Sequence, residues 1–247
     1  MSDGLQASEL GIDNPEQVRE KALLRLKDPN FLPTHDDIAA AFKDGFSRPE
    51  SPWWNFVENQ ERPVYELLNR EFIQALSSYL RGRAAELGAT SELPITVLEV
   101  GAGNGRLSHF LNVFLPEDWK DKVKIIATDS NEWNLANDFP VTELDYAMAI
   151  DRYKPAVVIA SWMPRSQDWT PKFRDTESVQ EYIMIGNDSS CGTQEAWGMN
   201  EYYDEDEDLY KGFERIALSD LSRTQICKDD SPGLYDSSKI VSFRRKQ

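Results

Sequence analysis

The stretch VLEVGAGNGRL, Val97 to Leu107, constrains the fold more than any other part of the chain. A short apolar run, ITVLEV, leads directly into three glycines spaced two apart, Gly101, Gly103 and Gly105. An apolar run this short suits a strand buried on both faces, as in a parallel sheet. Apolar residues then recur at helical spacing in NGRLSHFLNVFL, which predicts a helix. A tight strand-to-helix turn with no ligand needs one glycine, so three in five residues point to something that approaches the backbone closely.

The pattern repeats downstream. VKIIATD reads as a second strand ending in Asp129, and VTELDYAMAIDRY as a short strand followed by a helix. PAVVIASWM is a further strand, TESVQ a short helical piece and EYIMIG another strand. Strands alternating with helices predict parallel βαβ units and a doubly wound α/β sheet. The end differs: FERIALSDLSRTQICKDD and SSKIVSFRR read as two strands with little helix, an antiparallel pair closing one edge. Upstream, PEQVREKALLRLKD is an amphipathic helix, and the spacing of Val64, Leu67, Leu68, Phe72, Ile73, Leu76 and Leu80 predicts a long helix from about Pro63. The expected organisation is an N-terminal helical extension over 1–60 and a core domain over 61–247.

Charge narrows the partners. With 43 acidic and 27 basic residues, the net charge is −16, and no basic footprint for a phosphate backbone is visible. Nucleic acid is therefore not the expected substrate; Arg244-Arg245-Lys246 reads as a solvated tail. The run Glu201 to Asp208, with six carboxylates, reads as a solvated loop. Two cysteines, Cys191 and Cys227, give neither a zinc framework nor a disulfide scaffold, so no metal is expected and a reducing compartment fits. The N-terminus lacks the pattern of a signal peptide, and the longest apolar run falls far short of the roughly 20 residues a membrane helix needs. A soluble cytoplasmic protein is expected, with no membrane partner; its oligomeric state is not set by the sequence.

What the glycine loop holds can be narrowed by elimination. A dinucleotide fingerprint, G-x-G-x-x-G, would need a third glycine where Arg106 stands. A P-loop would need a Gly-Lys-Ser/Thr that does not follow. Glu99-Val-Gly101-Ala102-Gly103-Asn104-Gly105 after a strand, with Asp129 closing the next one, resembles the class I S-adenosylmethionine-dependent methyltransferases. The resemblance covers about Thr96 to Gly186, and the terminal strand pair by layout only. It implies a seven-stranded, mostly parallel Rossmann-like sheet whose last strand is inserted antiparallel, and S-adenosyl-L-methionine as cofactor. It further implies that Gly101 to Gly105 pass beneath the methionine and ribose, and that Glu99 orients the loop or the cofactor's amino group. Asp129 would accept from both ribose hydroxyls, Ser130 and Asn131 would flank the adenine, and Asp145 would read the adenine amino group with Tyr146 stacked nearby. A plain helix N-cap is an equal reading of Asp145.

On the acceptor side, ligands of such sheets lie beyond the carboxyl ends of the strands. SWMPRSQDW leaves the fourth strand there, with Ser161 beside the cofactor and Trp162 and Met163 toward the acceptor. It only partly matches the Asn/Asp-Pro-Pro-aromatic motif of the family's amino-methylating members, which argues against assuming that chemistry. Trp162 reads as a pocket wall or as core. GNDSSCGTQEAWG, with Glu195 and Trp197, lines the acceptor pocket or is a surface loop, and Trp53, Trp54 and Tyr65 form a lid or pack a helix on the sheet. Neither His35 nor His109 reads as a general base, so Asp168 and Glu195 are the candidates if the acceptor must lose a proton. The expected activity is methyl transfer to an oxygen or nitrogen of a small molecule. A protein or peptide methyltransferase, and a catalytically silent cofactor-binding module, are the alternatives.

Overall fold

The computed structural model describes residues 14–42, 52–58, 64–134, 138–199, 212–227 and 238–246. The expected acidic loop Glu201 to Asp208 and the expected helix start at Pro63 lie outside them. The strands are β1 (Ile95–Val100), β2 (Val123–Asp129), β3 (Thr142–Glu143), β4 (Val157–Ser161), β5 (Glu181–Asn187), β6 (Phe213–Ala217) and β7 (Ser238–Arg245). They form one sheet in the order β3-β2-β1-β4-β5-β7-β6. The pairs β1/β2, β2/β3, β1/β4 and β4/β5 are parallel, whereas β7 runs antiparallel between β5 and β6. This is the doubly wound, seven-stranded arrangement expected from the sequence. Strand order reverses between β1 and β4, and a crevice opens at such a switch point, outside the carboxyl ends of the strands.

The helices are α1 (Pro15–Leu26), α2 (His35–Ala41), α3 (Pro52–Val57), α4 (Arg70–Glu86), α5 (Arg106–Phe114), α6 (Tyr146–Tyr153), α7 (Thr170–Asp175) and α8 (Ser219–Ser222). Alternate residues of the strands face opposite layers, as the period of two requires. Val97, Ile159, Ile183, Ile185 and Ile240 pack with Phe72, Ile73, Leu76 and Leu80 of α4 and Leu107, Phe110 and Leu111 of α5. Leu98, Val158, Ala160, Tyr182, Met184 and Phe243 pack on the other face with Ala149 and Ile150 of α6 and Phe173 of α7. A third cluster gathers Leu26, Ile38, Phe42, Trp53, Phe56 and Leu67 in the N-terminal helices. Trp53 is therefore core of that cluster, edge-on to Phe42 at 5.0 Å, rather than part of a lid.

Three expectations need correction. The long helix starts at Arg70, where Asn69 caps it by accepting from the Phe72 amide. Residues 64–69 are not helical; the Leu67 amide donates to the Ile226 carbonyl and Glu66 bridges to Cys227, so tertiary pairing overrides the helical spacing of Val64 to Leu68. The helical piece expected at TESVQ lies upstream at α7, because Asp168 accepts from the Thr170 amide and hydroxyl and turns the chain into a helix there. The basic trio is no solvated tail: Arg245 donates to the carbonyls of Val179, Arg174 and Thr176, and Arg244 to the Tyr79 hydroxyl.

At the amino-terminal end of β5, opposite the crevice, the fully buried carboxylate of Glu181 is bound by Arg83, Tyr79 and Ser242. Burial and this carboxylate push the Tyr79 hydroxyl up to about 12, which keeps it a donor. This polar knot ties α4 to β5 and β7.

Candidate active site

The glycine loop leaves β1 at the crevice and enters α5 at Arg106. Gly105 has φ +77, and a Cβ there would lie 2.6 Å from Cγ2 of Val141. Only glycine lets the segment after β2 lie so close to the loop. That segment is also bonded to it, since Asn104 donates its amide to Asp138 at 2.9 Å and the Phe139 amide donates to the Asn104 carbonyl at 3.2 Å. Gly101, with φ +65, meets a different neighbour: a Cβ there would lie 2.9 Å from Cη2 of Trp169.

Asp129 closes β2 and faces the loop. Its Oδ2 accepts from the Gly103 amide at 2.9 Å, and its Oδ1 from the Asn131 amide at 2.7 Å. A carboxylate offers about four acceptor positions, so each oxygen keeps capacity for one more donor. Two donors side by side, such as the hydroxyls of a ribose, match what remains. Asn131 takes left-handed backbone, φ 59, and points its amide at Glu143, while Ser130 is exposed.

Glu99 is 2% exposed and accepts from both the amide and hydroxyl of Ser108, at 3.0 and 2.6 Å. It thus anchors the first turns of α5, which positions the loop between them. Burial raises its pKa most, the Ser108 bonds pull it down and the charge of Asp129 raises it, which together leave it at about 7. Arg106 stands where a dinucleotide site would have its third glycine. Its guanidinium turns away from the strand, donates to the Phe31 carbonyl at 2.6 Å and lies over the Phe110 ring. Burial lowers its pKa to about 10, partly offset by Asp138 and Asp28, so it stays charged at neutral pH.

Asp145 is the N-cap of α6, its Oδ1 accepting from Ala147 and Met148 at 2.8 and 3.0 Å. Tyr146, next to it, stacks on Trp169 at 5.0 Å with 13° between the rings. Ser161 ends β4, and Trp162 follows in left-handed backbone, φ 56, a conformation that bulky residues rarely adopt. Its amide donates to the Ile185 carbonyl, its ring lies 5.5 Å from that of Tyr65, and its indole nitrogen is buried with no hydrogen-bond partner. The structure thus brings two expected acceptor residues, Trp162 and Tyr65, into contact.

Other candidates are not brought to the crevice. Met163 is 1% exposed and Trp197 fully buried, its indole donating to the Cys191 carbonyl at 2.7 Å. Both are core side chains and present no surface to an acceptor. Trp54 stands 42% exposed on α3, and Glu195 lies exposed in the turn after β5. Asp168 spends Oδ1 on starting α7, a structural duty for a residue expected as a base. His109 stacks on Phe139 at 3.9 Å, where burial lowers its pKa, and His35 bonds the Thr224 carbonyl. Sequence reasoning missed Trp169 and Ser108. Trp169 is signalled only by the Asp-Trp-Thr-Pro helix start, and Ser108 by its place in the first turn of the helix after the glycine loop.

Among the described residues no cluster could hold a metal ion, and no helix is long and apolar enough to cross a membrane. No protein-family model matches the sequence, and no characterised sequence does. Among solved structures the chain is similar to the CurJ carbon methyltransferase at 12% identity and a TM-score of 0.47, over 99% of this chain and 72% of that one. It is similar to the DszA carbon methyltransferase at 13% identity and a TM-score of 0.42, over 94% and 66% of the two chains. It is also similar to magnesium protoporphyrin IX methyltransferase (ChlM) from Synechocystis PCC 6803, solved with bound SAM, at 12% identity and a TM-score of 0.34, over 98% and 100%. All three are methyltransferases, matched at low identity.

Proposed function

We propose that this protein is an S-adenosylmethionine-dependent methyltransferase that methylates an oxygen or nitrogen of a small molecule. The observation that carries the reading is Asp129, whose carboxylate pins the Gly103 amide at the switch point and keeps two acceptor positions for paired hydroxyls. Bound there, the cofactor supplies a methyl group already activated by its sulfonium. The chain's own part is to hold and to exclude. Gly101 to Gly105 give the floor, Glu99 fixes that floor through Ser108, and Asp145 and Tyr146 flank the nucleoside end. Trp162 and Tyr65 wall the acceptor end.

His109 is stacked on Phe139, His35 is bonded to the Thr224 carbonyl and Asp168 is engaged in a turn, which supports a mechanism resting on alignment and removal of water. A hydroxyl or ammonium acceptor would pass its proton to solvent. We assign residues 1–60 to an N-terminal extension and residues 61–247 to the core domain. The net charge of −16 favours a protein that does not bind nucleic acid, and the two cysteines, which form no disulfide, fit a reducing compartment such as the cytoplasm.

Calorimetry with S-adenosylhomocysteine tests the donor side: wild type should bind it in preference to nicotinamide dinucleotides. Asp129→Ala should weaken binding by roughly 2–4 kcal/mol, the loss of two charge-assisted hydrogen bonds. Labelled methyl from the cofactor should then pass to the small-molecule fraction of a cell extract. Transfer to the protein fraction alone would make it a protein methyltransferase, and binding without transfer a silent module.

A further inference from the structure

β6 ends at Ala217, which pairs with Val241, so Ser238 to Ile240 of β7 run on with no strand beside them on that edge. α8 closes the edge instead. The Leu218 amide donates to the Ile240 carbonyl at 2.9 Å, and the Ser222 hydroxyl accepts from the Ile240 amide at 2.9 Å. A helical turn cannot lie as flat as a strand, and a groove of about 350 Å³ remains between α8, β6 and β7. That volume is at the lower end for small-molecule sites, and β5 stands between the groove and β4. Its lining is cationic and hydroxyl-bearing: Arg215, Arg223, Lys239, Ser219, Ser222 and Ser238, the rest being apolar. In a chain of net charge −16, no carboxylate lines it among the described residues. Arg215 is aimed by its surroundings. Gly198 has φ +70, and a Cβ there would lie 2.8 Å from Cδ of Arg215, so the bare glycine lets the arginine stem lie against the chain. Nε then donates to the Trp197 carbonyl at 2.8 Å, while Nη1 and Nη2 make no hydrogen bond among the described residues. Arg223 and Lys239 each hold one carboxylate, Asp220 and Asp188, neither of which lines the groove.

We propose that this groove is a second ligand site and that it takes the phosphoryl group of a small molecule. The proposal goes beyond the methyltransferase reading and does not depend on it. An arginine whose Nε is already engaged presents its two terminal amino groups side by side, and such a pair grips two phosphate oxygens at once. A phosphomonoester brings three terminal oxygens and a charge of about −1.5 to −2. Arg223, Lys239 and Ser219 line the same groove and serve the third oxygen and the remaining charge. A carboxylate, with two oxygens and one charge, leaves part of this donor set unused.

Calorimetric titration of the full chain with inorganic phosphate, n-propyl phosphate and n-propanol, in a constant chloride background, tests the proposal. n-Propyl phosphate has neither ribose nor base, so it has no claim on the crevice. Wild type should bind both phosphate probes saturably and propanol not at all. Tighter binding of the ester than of phosphate identifies an esterified ligand, and equal binding identifies the free ion. Arg215→Gln, which removes the paired amino groups and the charge, should weaken both probes about tenfold or more, and Ser219→Ala about threefold. Lys120→Gln, outside the groove, should leave both unchanged. If Arg215→Gln does not fold, Arg223→Gln and Ser219→Ala decide, since both residues are exposed. No saturable binding by wild type, propanol bound as well as its phosphate, full affinity in Arg215→Gln and Arg223→Gln, or an equal loss in Lys120→Gln would each overturn the proposal.

Discussion

Glu99 is the residue whose environment departs furthest from its sequence. On paper it is one carboxylate in an acidic chain; in the fold it lies inside the sheet layer with two donors from Ser108 and a like charge at Asp129. Its pKa of about 7, against 4.5 unperturbed, means the folded state holds a proton there that the unfolded chain has released. Stability from this group is therefore full below about pH 4.5 and lost as pH rises through 7. Glu99→Gln, which cannot ionise and still accepts from Ser108, should be more stable than wild type at pH 8 by on the order of 3 kcal/mol. The gap should close by pH 4.5. Urea unfolding without ligand at the two pH values measures it, and an equal gap at both would contradict the raised pKa. The sequence placed Glu99 at the end of its strand, and it lies one residue from the end of β1. It could not show the burial, because that depends on α5 folding back over β1.

Asp145 belongs to its helix before it belongs to any ligand. The two sequence readings, cap and adenine reader, are compatible, since the cap uses Oδ1 alone. Asp145→Asn preserves the cap, and Asp145→Ala removes it at a cost of about 1 kcal/mol. If the carboxylate also reads the base, both variants should weaken S-adenosylhomocysteine several-fold, with only alanine lowering the melting temperature. Calorimetry beside a thermal melt separates the two duties, and full affinity in Asp145→Asn would leave the cap alone. At this scale the sequence was most legible where elements are local. Every parallel strand, α5 and α6 were foreseen, because apolar period and cap signals act within a few residues. The start of α4 and the place of α7 were not. Residues 64–68 repeat at helical spacing yet pair with Ile226 and Cys227, far away in sequence. A single Asp168 turn outweighed the weak helical pattern at TESVQ.

Across the whole molecule, the chain ahead of α4 touches the sheet layers at two functional places. Arg106, first residue after the glycine loop, holds the Phe31 carbonyl, and Tyr65 rests on Trp162. Arg106→Met keeps the buried stem and removes the charged donor, so tryptic cleavage at Arg19 to Lys27 should accelerate about tenfold, read by mass spectrometry. An unchanged rate would show that the Phe31 bond does not hold the extension down. The sequence could not anticipate this tie, since Arg106 is intelligible there only as a missing glycine. The insertion of β7 has a different consequence, for the order in which the protein can be made. Seven strands leave the ribosome in chain order, but the seventh belongs inside the sheet, paired with β5 from Glu181–Arg244 to Asn187–Ser238 and with β6 on its other side. Until it emerges, the two strands it must join have nothing between them, and β5 offers its backbone edge to any neighbouring chain. Translation halted before residue 238 thus releases a sheet with a gap, a product the cell must hold or destroy.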